Sequence, residues 1–204
     1  MAAQADRKLV PIVSLDVVGY SRLTELNERQ TLRLVQRVYD RLVARTIGRQ
    51  GGKVFKTMGD GLLAEFQSVV AAVEWVAALQ RELNDRRLSV PGGGFLQIRA
   101  GVVLADVLVA GDDLYGSGVN LSVRVQALSP PGGMAVTKWM FQYLDGRSDL
   151  QFVDLGPTEL KNVSRTVRLY VWHPEGITQK ATAPGVAEAA AIPQSSRPSA
   201  RQRS

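Results

Sequence analysis

The sequence predicts an α+β fold, an α/β sandwich on a ferredoxin-like βαββαβ core with extra strands, in which helices cover one face of a sheet. Three observations carry this expectation. A Val- and Ile-rich run over residues 9–15 has strand length and is followed by a long segment of helical period. Residues 53–66, KVFKTMGDGLLAEF, set two short apolar runs about Gly59-Asp60-Gly61. This reads as a β-hairpin, because Asp-Gly between apolar segments favours the backbone conformations of a tight turn. A second helical segment and an alternating strand then follow in the order the core requires.

The elements are legible in turn. The first strand ends at Asp16, and Gly19-Tyr20-Ser21 forms a small-residue bend. Asn27 and Gln30, three residues apart, have the spacing of a capping box. From there Leu34, Val35, Val38, Leu42, Val43 and Ile47 recur at helical spacing until Gly51-Gly52 stops the helix. After the hairpin, Ser68 is placed to cap a helix with Val69, Val73, Val76, Leu79 and Leu83 on one face. Residues 91–94 form a Pro-Gly loop. Residues 96–102 alternate like a half-buried strand, residues 107–109 read as a separate short strand, and residues 112–116 as a turn. A helix over 119–128, a brief strand over 134–136 and a short helix over 139–144 follow. Three strands, 152–155, 159–161 and 167–172, close the body. The expected organisation is an N-terminal arm over 1–8, one domain over 9–174, and an Ala/Pro/Ser/Arg-rich tail over 175–204 that reads as disordered or a linker.

Composition narrows the chemistry. The absence of cysteine excludes disulfides, thiolate metal sites and a cysteine nucleophile. A single histidine, His173, argues against a histidine-rich zinc site or a Ser-His-Asp triad. Carboxylates are then the expected metal ligands, which suits hard cations such as Mg²⁺ or Mn²⁺. The net charge of +6 reads as dispersed and without aromatic–basic clusters, so it favours a basic cleft for a small polyphosphate over nucleic acid. The opening MAAQADRK lacks a signal-peptide layout, and the apolar runs are well short of the ~20 residues that span a bilayer. A soluble, cytoplasmic chain is expected. Neither G-x-x-x-x-G-K-[ST] nor G-x-G-x-x-G occurs.

Polar residues collect at element ends: Asp16, Lys56, Asp60, Asp113, Asn120, Arg124 and Lys161. A Gly-Asp-Gly turn alone is commonly only a turn. A second strand-end carboxylate, Asp16, changes that reading, because two such groups can hold a pair of divalent ions about 4 Å apart for phosphoryl chemistry. Asn120 and Arg124, at i and i+4, share a helix face, and a planar guanidinium there suits a phosphoryl oxygen developing charge.

LDVVGYSRL, KTMGDGLLAEF, DLYGSGVNLSVR and ELKNVSRTVRLYVW together resemble, in order and spacing, the catalytic domain of class III nucleotidyl cyclases of the bacterial adenylate/guanylate type, over roughly residues 9–172. The resemblance implies that domain's fold and two bound divalent cations. Asp16 and Asp60 match the metal-binding aspartates, with the Val17 carbonyl as a further ligand. Gly19, Tyr20 and Ser21 fall in the loop whose backbone N–H groups meet the phosphates. Lys56 and Asp113 match the purine-reading pair, which as Lys/Asp selects adenine, whereas guanylate cyclases use Glu and Cys. Lys donates to adenine N1, and Asp accepts from the exocyclic amine. Asn120 corresponds to the ribose-orienting residue, Arg124 to the transition-state arginine, and Lys161 to the lysine on the terminal phosphates.

Two departures stand out: Asn162 follows Lys161 where many relatives carry Gly, and Leu121-Ser122-Val123 replaces a Val-Ala-Ser or Val-Ala-Ala run. The implied activity is conversion of ATP to 3′,5′-cyclic AMP and pyrophosphate. It would occur in a head-to-tail homodimer in which Asp16 and Asp60 of one subunit face Lys56, Asp113, Asn120 and Arg124 of the other. A guanylate cyclase or relaxed-specificity enzyme, and a non-catalytic nucleotide-sensing or dimerisation module, are the alternatives.

Overall fold

In the computed structural model, which describes residues 6–177, the central strand β1 (Arg7–Val17) lies between two antiparallel neighbours. It begins two residues before the expected start, and most of the tail lies outside the described residues. The helix α1 (Tyr20–Val38) continues through a π-turn (Tyr39–Val43), a short α2 (Ala44–Thr46) and a 3-10 turn (Ile47–Gln50). Strands β2 (Gly52–Met58) and β3 (Gly61–Phe66) form the hairpin, followed by α3 (Val69–Arg86), β4 (Ile98–Ala110), β5 (Asp113–Tyr115) and α4 (Ser117–Ala127). The chain closes with β6 (Met134–Thr137), α5 (Lys138–Leu144), β7 (Val153–Thr158) and β8 (Val167–Trp172). One sheet runs β2-β3-β1-β4-β6-β8-β7, with β5 paired to β4. All its neighbours are antiparallel except β4 and β6, which are parallel. Within it, β4-β1-β3-β2 is the expected ferredoxin-like core.

Local chemistry explains the boundaries. Asn27 leaves the helical region (φ −163°, ψ 90°), and its side-chain oxygen accepts from the Gln30 N–H at 3.0 Å. It caps a helix as expected, but a further helical stretch from Tyr20 precedes it. Ser68 accepts from Ala71 N–H, and all five apolar positions predicted for that helix are buried. The hairpin loop is the pair Gly59-Asp60, with Met58 opposite Gly61. Gly59, at φ +62°, supplies the positive φ, so Gly-Asp rather than Asp-Gly makes the turn.

Four expectations are corrected. Residues 98–110 form one long strand, because both of its faces are buried and no turn residue interrupts it. Asp113–Tyr115 is a strand that folds back on β4 after a Gly111-Asp112 turn. Residues 159–161 form no strand; Leu160 is instead anchored in the core from a loop. Helices cover both faces of the sheet. Val13, Leu15 and Val17 of β1 join α1, α3 and α5 in one core, whereas Val10 and Ile12 join Val119 and Val125 of α4 in another. Among the described residues no helix is long and apolar enough to cross a membrane.

Two contacts lock these layers. The Gln80 amide, 1% exposed, donates to the carbonyls of Ile98 and Gly133 at 2.8 Å each, tying α3 to the starts of β4 and β6. On the other face α4 presses its backbone onto Gly101. A Cβ there would stand 2.3 Å from Gln126 N and 2.5 Å from Ser122 O, both main-chain atoms. Gly101→Ala must therefore lift the helix, and we expect it to lower stability by about 1–3 kcal/mol, read as a lower urea midpoint at unchanged slope. An unchanged midpoint would refute the close approach.

Candidate active site

Strict alternation along β1 sends Asp16 to the α4 face, at the strand's C-terminal end. Across one neighbour it sits in register with Arg99 of β4. Across the other lies Gly61, where a Cβ would sit 3.8 Å from Asp16 Oδ1, and Asp60 precedes it in the hairpin loop. The two metal candidates are thus brought together, and Val17 is the last residue of β1 beside them.

The electrostatics follow. Burial, then the Asp60 charge and a hydrogen bond to Asp60, push the Asp16 carboxyl up to about 6. The Arg99 charge and a hydrogen bond from Gln126 pull the other way. Tyr39, on the π-turn, donates its hydroxyl to the Asp60 carbonyl. Its phenol is pushed up by burial and then by the charges of Asp60 and Asp16.

Two proximate carboxylates of hard oxygen are a donor set that fits Mg²⁺ or Mn²⁺. Among the described residues no cluster of three or more His, Cys, Asp or Glu groups is formed. Further ligands would therefore be main-chain oxygen, water or a substrate's phosphates, the usual company of Mg²⁺.

Lys56 and Asp113 also meet. Lys56 Nζ donates to Asp113 Oδ2 at 2.8 Å, and Asp113 Oδ1 accepts from Leu114 N–H at 2.8 Å. The hydrogen bond holds the Asp113 carboxyl below its ordinary range and raises the lysine. A β-bulge makes this contact. Val54 pairs with Ala64 and Lys56 with Leu63, so the register shifts between them and turns Lys56 to the α4 face alongside Phe55. Strict alternation would send Lys56 to the opposite face from Phe55. Lys53 and Asp112 add a second ion pair at 2.8 Å between the same two arms.

Asn120 is exposed and Arg124 half-buried on α4, whose Val119, Ser122, Val125 and Gln126 face the sheet. Ser122 donates to the Val119 carbonyl at 2.7 Å, so the departure at 121–123 costs the helix no unmet polar group. Among the described residues, no hydrogen bond or ion pair joins the carboxylate pair to the Lys56–Asp113 pair. Gly19, at φ +67°, caps the N-terminus of α1, where Tyr20 and Ser21 present first-turn N–H groups of the kind that suit an anion. Lys161 is exposed in the loop before β8. Asn162 takes φ +60°, the left-handed conformation that glycine favours and asparagine tolerates.

Sequence reasoning missed Arg99, Gln126 and Tyr39. Arg99 had a signal: the one charge in the strand segment LQIRAGV, on the same face as Gly101. Its Nε is buried without a partner. The other two had none, since both sit at ordinary helical positions.

The adenylate and guanylate cyclase catalytic domain model matches residues 3–174. The Rhizobium meliloti protein named "Putative adenylate cyclase 3" is 41% identical over 169 residues, 83% of this chain and 29% of that protein. The chain spans about a third of the length of the curated relatives it matches. Among solved structures, an adenylate/guanylate cyclase/hydrolase from Silicibacter pomeroyi is similar at TM-score 0.77 and 35% identity, over 84% of this chain and 99% of that one. The adenylyl cyclase CyaB from P. aeruginosa shares the fold at TM-score 0.70 and 20% identity, over 83% and 95%.

A carboxyl whose folded pKa lies above its unfolded 3.8 favours folding only while protonated. Stability of the metal-free protein should therefore fall as pH rises from about 4 to about 6 and stay lowered above that. Asp16→Asn removes this cost, and after discounting for partial exposure we expect a gain of about 1 kcal/mol at pH 7 and almost none at pH 4. Thermal unfolding in EDTA measures it. A mutant that melts at or below wild type at pH 7 would show that the charged Asp16 carboxylate costs the fold nothing, by burial or by repulsion.

Proposed function

Because the chain belongs to the class III adenylate/guanylate cyclase catalytic-domain family, we propose that it is an adenylate cyclase, forming 3′,5′-cyclic AMP and pyrophosphate from ATP. The observation that carries the choice of ATP is the Lys56–Asp113 pair at 2.8 Å, a donor and an acceptor fixed side by side. Adenine offers their complements, N1 as acceptor and the exocyclic amine as donor. Guanine, with O6 and a protonated N1, reverses both.

The ribose 3′-oxygen attacks the α-phosphorus in line; that P–O bond forms as the bond to the pyrophosphate oxygen breaks, and the 3′-hydroxyl proton leaves to solvent. Asp16, Asp60 and the Val17 carbonyl would hold two divalent cations. When bound, these make the 3′-hydroxyl more acidic and neutralise the triphosphate. The remaining work is positioning and charge. First-turn N–H groups at Gly19, Tyr20 and Ser21 receive phosphate oxygens, with Arg99 and Lys161 as further cations on the same chain of phosphates. Asn120 orients the ribose, and Arg124 meets the charge that develops on the α-phosphoryl oxygens.

The resemblance to this family, and the lack of any hydrogen bond or ion pair between the two pairs among the described residues, support a site shared between two copies, Asp16 and Asp60 from one and Lys56, Asp113, Asn120 and Arg124 from the other. Wild type should make cyclic AMP from ATP with Mn²⁺ or Mg²⁺, and Asp60→Ala should abolish this. Cyclic GMP from GTP at a comparable rate would reassign Lys56 and Asp113. Asp60→Ala and Arg124→Ala chains, each inactive alone, should recover about a quarter of wild-type activity when mixed, since half the dimers then hold one intact site of two. No recovery in a mixture shown to exchange subunits would refute the shared site.

A further inference from the structure

Six arginines on the first helical rod take no part in this chemistry. Arg29, Arg33, Arg37, Arg41, Arg45 and Arg49 recur at every fourth residue, all exposed. None belongs to an ion pair of the described residues. The expectation of dispersed charge fails here. Like charges four apart repel by roughly 0.2–0.5 kcal/mol per pair, and a face turned only to water is better served by alternating signs.

The backbone keeps the later members together. In a plain α-helix each four-residue step drifts about 40° around the axis. The π-turn at Tyr39–Val43 holds more residues per turn and offsets that drift. Arg41, Arg45 and Arg49 line one groove with Arg86 and Glu82 of α3, a recess of about 440 Å³. Its only acid, Glu82, is already engaged by Arg86 at 2.6 Å.

We propose that this groove docks an acidic helix of a partner protein, with Asp or Glu at every fourth position. Four residues of helix rise about 6 Å, so three successive carboxylates so spaced, spread over about 80° of the partner's surface, match the arginines' spacing, each able to form a bidentate pair. No aromatic side chain lines the groove, which leaves nucleic-acid bases nothing to stack on. Its arginines stand on two helices facing a recess, which a flat lipid surface would bridge rather than fill.

The test uses the full chain and a fluorescent helical peptide of about 21 residues with Glu at every fourth position, read by anisotropy. We expect micromolar binding in about 50 mM salt that weakens about tenfold or more by about 200 mM. Arg41→Glu with Arg45→Glu should weaken it at least tenfold further, while the melting temperature holds or rises because the 37/41 and 45/49 neighbours become opposite pairs and only 41/45 stays alike. An isomeric peptide with its Glu residues contiguous should bind clearly less well; equal binding would overturn the proposal. So would tighter binding of phosphatidylserine-containing vesicles or of a duplex RNA, or no peptide binding at all.

Discussion

Two carboxylates that repel each other set the terms for this molecule. Asp16 and Asp60 come from segments 44 positions apart, and the sheet holds them close enough that one charge resists the other. Holding them requires rigid supports. β1 is flanked on both sides, Tyr39 pins the hairpin loop by its carbonyl, and Arg99 and Gln126 supply the opposing charge and hydrogen bond. A divalent cation bound between them would convert the repulsion to attraction. Keeping them together lowers the stability of the metal-free fold at a definable place.

The second organising feature is α4. Its inner side, through Ser122 and Gln126, lies on Gly101 and approaches Asp16, whereas Asn120 and Arg124 stand clear of the sheet contact. One helix thus serves the carboxylate pair of its own chain and can present an arginine elsewhere. The absence of a side chain at a single strand position is what lets it sit so near.

How much of this was legible depended on the range of the cause. Local signals worked. Ser68, Asn27 and the apolar periods of α1 and α3 act within a few residues, and they appear as read. Signals that depend on a neighbouring strand did not. Residues 98–110 looked like two strands because burial on both faces erases alternation, and the face carrying α4 could not be read from a single helix. The candidate residues Asp16, Asp60, Lys56 and Asp113 were legible as types in an order. That Lys56 meets Asp113 depends on a bulge next to Phe55, which no residue in KVFKTM announces. Arg99 was overlooked because its significance is cross-strand, opposite Asp16.

The π-turn is, in effect, one extra residue spliced into a continuous helix. Each residue turns the chain after it by about 100°. Deleting one from the regular helix before it, between Asn27 and Val38, would leave the composition nearly untouched, yet it would swing Ile47 away from the core it now fills and alter the approach to Gly52 and the whole hairpin. This rod is therefore tolerant of changes in spelling and intolerant of changes in length. Its residue count is itself part of what keeps the Asp60 loop at the end of β1.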